Sequence, residues 1–330
     1  MRSGFVAVVG RPNVGKSTLV NAMVGTKVTI TSPRPNTTRH RIRGVLHLAG
    51  AQAVFVDTPG LHRPRTALGQ RLNETAAASL EEIDQVVVVV DATAPIGPGD
   101  RMVLSRAHAA ARRAARESPD GLPVALMVVV NKADRAGPAQ VLEHLAQVSA
   151  AVAQLDAAAH PTGDAPSTLP PTDRPADRPT DPPAAEPEVP VEYFPVSART
   201  GKGVDALVAA IVAALPEGPP YFPAEVVSDT PEALFVAELV REQLLLRTRD
   251  ELPHSIACRV TEWEWPRIRC EILVERDSQK GIVIGHKGEV LKAVGTAARA
   301  ALDPEVFLEL VVRVEKHWQQ RDDALDRLGY

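Results

Sequence analysis

Apolar residues fall in two rhythms along this chain. Short unbroken runs at 5–9, 53–56, 86–90 and 124–130 have the length and β-branched content of strands buried on both faces. Between them, stretches around 16–24, 67–82, 100–116 and 138–155 carry the three-to-four-residue spacing of amphipathic helices. This alternation predicts an α/β fold, a mostly parallel sheet flanked by helices. Segments 42–48 and 52–57, split by Ala49-Gly-Ala51, predict an antiparallel hairpin at one edge.

Beyond Pro216-Glu-Gly-Pro-Pro-Tyr-Phe-Pro223 the rhythm changes. A helix at about 231–247 precedes strands at Ser255–Trp263 and Ile268–Glu275, a short helical turn, a loop at 285–288, a helix to about 302, a strand at 306–315 and a closing helix. That order predicts a smaller α+β domain with its own core. We expect a first domain over 1–216, a linker over 217–230 and a second domain over 231–330. Between about 157 and 190, proline and acidic residues displace large apolar ones, which predicts a disordered or extended insert.

Composition narrows the classes of function. A length of 330 residues suits two or three domains. The formal net charge of −4 excludes a polycation, so any nucleic-acid surface must be local. Cys258 and Cys270 sit in apolar alternating segments and read as buried, reduced thiols. The first strand begins by residue 5, and no apolar run is long enough to cross a bilayer; the expected location is cytoplasmic.

Chemistry enters at Gly10-Arg11-Pro12-Asn13-Val14-Gly15-Lys16-Ser17-Thr18, directly after the first strand. Glycines at both ends let the backbone curl its N–H groups around phosphates, and the following helix points its positive end at the same anion. Lys16 is placed for the outer phosphates and Ser17 for a magnesium ion. Asp57-Thr58-Pro59-Gly60 closes another strand, where a carboxylate is positioned for magnesium and the Gly60 amide for the terminal phosphate. Asn131-Lys132-Ala-Asp134 follows a further buried strand. Its carboxylate matches the ring and exocyclic N–H donors of guanine, Lys132 can lie along the base, and Asn131 can tie this loop to the phosphate loop. Ser197 and Ala198 would complete the base pocket with a backbone amide.

In this order the motifs resemble those of translation-factor-type GTPases. The resemblance makes Asn36-Thr-Thr-Arg-His40 the switch segment, with Thr38 reaching magnesium and Thr37 as the alternative. It implies GTP/GDP as ligand and Mg2+ held by Ser17, Thr38 and Asp57, with catalysis resting on Lys16, Thr38 and Gly60. Leu61 stands where some of these GTPases carry a glutamine, which implies slow intrinsic hydrolysis. Relatives with an asparagine at the position of Asn13 use it to hold K+. Arg11 reads as a loop-surface residue.

Near the other end, Gly281-Ile-Val-Ile284-Gly285-His286-Lys287-Gly288 and the helix after it resemble a type II KH domain. That resemblance places RNA phosphates on His286 and Lys287, close backbone approach at Gly285 and Gly288, an apolar floor at Ile284, and flanking charge on Lys280 and Lys292. A GTPase domain followed by a KH domain is similar to the Era family over nearly the whole length. Asp250-Glu-Leu-Pro-His-Ser255 and Leu325-Asp-Arg-Leu-Gly-Tyr330 add to the likeness. The resemblance implies a GTP-driven switch on 16S ribosomal RNA near its 3′ end, acting in 30S subunit assembly. It also implies a monomer with peripheral association at the inner face of the cell membrane. Two features depart from the family pattern: the insert at 157–190, and the two prolines of Ser32-Pro-Arg-Pro-Asn36. A GTPase for RNA modification or transport would need a catalytic cysteine, a metal cluster or membrane helices. A nucleotide-sensing scaffold would differ in hardly hydrolysing GTP.

Overall fold

In the computed structural model, residues 1–61, 64, 66–81, 83–117, 124–159, 189–249 and 252–330 are described. The proline-rich insert lies almost wholly outside them, as do Asp250 and Glu251 of the family-like segment. Six strands form the first sheet: β1 (Arg2–Gly10), β2 (Ile42–Leu48), β3 (Ala51–Asp57), β4 (Gln85–Asp91), β5 (Leu126–Asn131) and β6 (Val191–Pro195). Their order is β2-β3-β1-β4-β5-β6, all parallel except the β2–β3 hairpin at the edge.

The valine runs serve two cores at once, because successive strand side chains face opposite ways. Val86, Val88 and Val90 pack with Ala7, Val9 and Val128 against α3 (Pro98–Glu117) and α4 (Pro138–Ala159). Val87 and Val89 pack with Val6, Val8 and Met127 against α1 (Lys16–Val24) and α5 (Val204–Ala214). Helix α2 (Ala67–Ala78) is four residues shorter than its apolar pattern. The Ser79 hydroxyl turns back onto Thr75 O at 2.7 Å, and Leu80 N bonds Ala77 O, tightening the last turn and ending the helix.

The segment read as a linker is strapped along the sheet. Gly218 N bonds Met1 O at 2.9 Å, Gln52 Nε2 donates to Phe222 O at 2.7 Å, and Val45 N bonds Val227 O at 2.9 Å. Gln52 Oε1 accepts from Tyr221 N and Phe222 N, while Val226 N and Thr230 N are met within the segment by Pro223 O and Ser228 Oγ.

The second domain holds α6 (Glu232–Arg247), β7 (Ala257–Glu264), β8 (Arg267–Val274), α7 (Asp277–Ile284), α8 (Glu289–Arg299), β9 (Phe307–Val314) and α9 (Asp322–Arg327). Its sheet runs β7-β8-β9, with β8 and β9 parallel. One face packs Cys270, Ile272 and Val312 against α6, α7 and α8, and both cysteines are free and buried. The other face carries a ladder of ion pairs, including Arg267–Glu309 and Arg269–Glu262.

Between the two sheets lies a dense seam. Leu68 and Leu72 of α2 pack with Leu273, Trp318, Leu325 and Leu328. Each leucine buried in this way contributes about 1.5–3 kcal/mol relative to exposure. Around them, Arg71 pairs with Asp322 and Asp326, and buried Arg39 lies over the Trp318 and Tyr330 rings at 5.6 and 5.8 Å while donating to Ile256 O. Arg241 is fully buried with Glu238 and donates to Thr37 O.

Candidate functional site

The turn from β1 into α1 carries the phosphate loop. Gly15 sits at φ 99°, and a Cβ there would sit on Asn131 Nδ2, so only glycine fits. Gly60 meets the same restriction from the other side: a Cβ would lie 2.6 Å from Pro12 N. The phosphate loop and the Asp57–Gly60 turn are thereby brought into backbone contact.

A chamber of about 360 Å3 opens over this junction, lined by Asn13, Lys16, Ser17, Thr18, Thr38 and Gly60 among others. Lys16 Nζ donates to Gly10 O and Arg11 O at 3.2 Å. Burial pushes its ammonium down to about 8, against the pull of Asp57. An ammonium so stripped of water gains strongly from an incoming phosphate.

Three oxygen donors converge beside it. Ser17 Oγ and Thr38 Oγ1 are 2.8 Å apart, and Thr38 Oγ1 donates to Asp57 Oδ2 at 3.1 Å. Thr29 donates to the same Asp57 oxygen at 2.9 Å, while Asp57 Oδ1 is buried with no hydrogen-bond partner among the described residues. Desolvation raises the Asp57 pKa, opposed by Lys16 and the three hydroxyls. A hard oxygen donor set with an orphaned carboxylate atom fits Mg2+. Thr37 points elsewhere, to Ser32 Oγ and Arg34 O, so Thr38 is the threonine at this cluster.

Asn131 is the bracket of the base side. Its Nδ2 donates to Val14 O at 2.8 Å, and its Oδ1 accepts from Ala198 N at 3.0 Å. Of the stretch expected to complete the base pocket, Ala198 lines the base-side chamber while its amide is held by Asn131. Lys132 bridges Asn13 O and Asp91 Oδ2. Asp134 Oδ1 accepts from Ser197 Oγ at 2.7 Å, and Oδ2 takes Arg199 Nε and Nη2 at 3.1 and 2.8 Å. Ser197 first, and then Arg199 against some desolvation, hold that carboxyl below its ordinary range.

Several expected site residues are structural in their side chains. Arg11 pairs with Asp100 of α3 at 2.7 Å, Val14 is buried in the core, and Thr58 Oγ1 bonds Val8 O at 3.0 Å. Leu61 is 2% exposed and packs into the core, so its side chain does not orient a water molecule. The Asn13 Nδ2 donates to Pro33 O at 2.9 Å, linking the phosphate loop to the stretch that leads into the switch segment. Sequence reasoning missed Arg199; its place directly after Ser197-Ala198 was the available signal.

In the second domain, Gly285 and Gly288 take φ of 75° and 80°, and Lys287 is left-handed at 49°. Beside this loop a groove of about 410 Å3 runs between α8 and β9, lined by Gly288, Leu291, Lys292, Arg299, Leu308 and Leu310 among others. Gly295 keeps it open, since a Cβ there would crowd Leu310 Cδ1 at 3.3 Å. Leu291, Leu308 and Leu310 supply the apolar lining of this groove; Ile284, the floor that the resemblance implies, is not among the lining residues and is half-buried against the same domain core as those three leucines. Lys280, Gly285, His286 and Lys287 lie outside the groove lining, His286 and Lys287 on the loop that borders it.

A P-loop domain with guanine-type base loops, followed by a KH fold, defines a GTPase joined to a single-strand RNA-binding module. A model of the 50S ribosome-binding GTPase family matches residues 5–132, and a KH domain model matches residues 251–319. GTPase Era of Mycolicibacterium paratuberculosis is 42% identical over 341 residues, covering 100% of this chain and 99% of the relative. GTPase Era of Mycobacterium tuberculosis is 41% identical over 340 residues, covering 99% and 98%. A crystal structure of Era in complex with MgGDPNP and nucleotides 1506–1542 of 16S ribosomal RNA superposes with TM-score 0.78 at 36% identity, covering 100% and 99%. An Aquifex aeolicus Era variant bound to GDP and AlF4− gives the same TM-score at 35% identity. The chain belongs to the GTPase Era family.

Proposed function

We propose that this GTPase is a timed clamp on the 3′ region of 16S ribosomal RNA during assembly of the 30S subunit. The observation that carries the reading is the groove beside Gly285–Gly288, apolar along its walls and basic at Lys292 and Arg299. A narrow groove of that kind suits unstacked bases with a backbone on the glycine loop. The likeness to an Era bound to 16S nucleotides over its full length supports the choice of RNA. In-cell crosslinking of this chain followed by RNA sequencing tests it. Reads should pile up at the 3′ end of small-subunit ribosomal RNA, and their absence there overturns the assembly role.

Hydrolysis rests on positioning and charge rather than covalent chemistry. Lys16 meets the outer phosphates, the Gly60 amide meets the terminal one, and the seam residues keep the switch segment folded over the chamber. When bound by Ser17, Thr38 and Asp57, Mg2+ supplies charge neutralisation at the outer phosphates. Asn13 would offer its amide oxygen to K+, since its nitrogen is committed to Pro33. GTP turnover should therefore run several-fold faster in potassium than in sodium chloride at equal ionic strength; equal rates remove the potassium role.

We place the working unit at one chain, divided near 217–230. Among the described residues no helix is long and apolar enough to cross a membrane, which supports a peripheral mode for any membrane association.

A further inference from the structure

The nucleotide cavity is not built by the GTPase domain alone. Its base-side chamber, about 430 Å3, is lined by Asp134 and Ala198 from the base loops, Thr31 and Pro33 from the stretch leading into the switch segment, and Glu242 and Leu246 from α6. Those last two residues belong to the first helix of the second domain, four positions apart and on one face.

Glu242 is only 3% exposed although it carries a charge. One oxygen accepts from Thr31 N at 2.8 Å and, at a long 3.5 Å, from Thr31 Oγ1. The other pairs with Lys27 and takes a long contact of 3.4 Å from Gln243 Nε2. Two good donors and two poor ones leave room for better partners, because a carboxylate accepts about four hydrogen bonds. Leu246 is 51% exposed and stands next to this carboxylate at the cavity rim.

The place of these groups points to one part of the ligand. Gly15, Thr18 and Thr31 line both the base-side chamber and the phosphate-side chamber, so they mark the junction between the two. In a nucleoside phosphate the sugar lies between base and phosphates, and Glu242 is fastened to Thr31 at that junction. A ribose offers two vicinal hydroxyl donors on one side and a C–H face on the other.

We propose that Glu242 and Leu246 form the ribose subsite of the nucleotide pocket. Glu242 accepts from the sugar hydroxyls, and Leu246 covers the apolar edge of the sugar. The proposal rests on the guanine-nucleotide reading of the cavity. It makes a helix of the RNA-binding domain part of the nucleotide pocket, so nucleotide occupancy and the placement of α6 are thermodynamically linked.

The test uses the full chain with Mg2+ and compares equilibrium binding of GDP with that of 2′,3′-dideoxy-GDP. Hydrogen bonds to a charged acceptor predict about a tenfold or larger preference for GDP in the unmodified protein. Glu242→Ala should bring the ratio close to one and Glu242→Gln to an intermediate value. Loosening of Thr31 alone would weaken both nucleotides together and leave the ratio unmoved. Leu246→Ala should weaken both by about threefold, as for the loss of a partly buried apolar contact; unchanged affinity removes Leu246 from the subsite. A ratio near one in the unmodified chain, or one that both Glu242 variants preserve, overturns the ribose assignment while the guanine reading stands. Absence of GDP binding to the unmodified chain overturns the guanine reading itself.

Discussion

Asp134→Asn should exchange the base preference of the pocket from guanine to xanthine by two to three orders of magnitude. Guanine presents two donors, ring N1–H and the exocyclic amine, to the Asp134 carboxylate. Xanthine keeps the ring donor but carries a carbonyl in place of the amine. An asparagine at 134 can accept from the ring N–H and donate to that carbonyl, whereas against guanine its amide nitrogen faces a second donor. Against guanine the asparagine loses one hydrogen bond and sets two donors face to face, whereas against xanthine both bonds form. The fold should survive. Ser197 can still donate to the amide oxygen, and only the pairing of Arg199, whose side chain is 69% exposed, loses its charge. Competition of GDP and xanthosine diphosphate for the full chain reads the result. Equal weakening of both ligands would mean that Asp134 braces the loop and does not read the base.

The second large effect is at the other end of the molecule. Lys287→Ala combined with Gly288→Asp should abolish RNA binding, a loss of at least a hundredfold, with GDP affinity unchanged. The change removes one positive charge from the loop and adds a negative one where the backbone of a bound strand must approach. The structure argues that the doubly changed chain still folds. A Cβ at Gly288 meets no atom of the described residues within 4 Å, so the aspartate costs only the strain of its φ of 80°, about 1–2 kcal/mol. Gly285 would be a poor choice for the same experiment, because its Cβ would meet Val290 N at 2.9 Å and disturb α8. None of the four loop residues lines either nucleotide chamber, which is why nucleotide affinity should hold. Binding of a single-stranded 16S 3′ fragment, measured at two salt concentrations beside GDP binding, decides it. A parallel loss of GDP affinity would mean that the loop and the nucleotide pocket are coupled.

These two predictions draw on features that were legible in the chain for different reasons. The phosphate loop, the Asp57 turn and the Asn131–Asp134 loop each pack their chemistry into a few consecutive residues after a buried strand. Local spacing therefore carries the signal, and the valine runs place each motif at the same end of the sheet. Even the bridging role of Asn131 could be read, since its type and place leave few other tasks. Ile284 shows the limit. The pattern correctly marks it apolar, but whether it faces the groove or the core depends on how α7 sits on the sheet. Glu242 and Leu246 carry no local mark at all. They reach the cavity because α6 docks across a seam whose partners are some two hundred residues apart, as with Thr31 N and Glu242. The pairing of Arg199 with Asp134 is legible only once both loops are folded side by side.

That seam also gives the molecule an optical property. Of three tryptophans, Trp263 and Trp265 are 38% and 56% exposed, while Trp318 is fully buried against Arg39 with its indole N–H on Ser255 O at 3.0 Å. Arg39 is the residue directly after Thr38. Any movement of the switch threonine that drags its neighbour changes the polarity and quenching around this one indole, against a steady background from the other two. The chain thus carries, at the contact between its nucleotide switch and its RNA-binding domain, a native fluorophore placed to report one on the other.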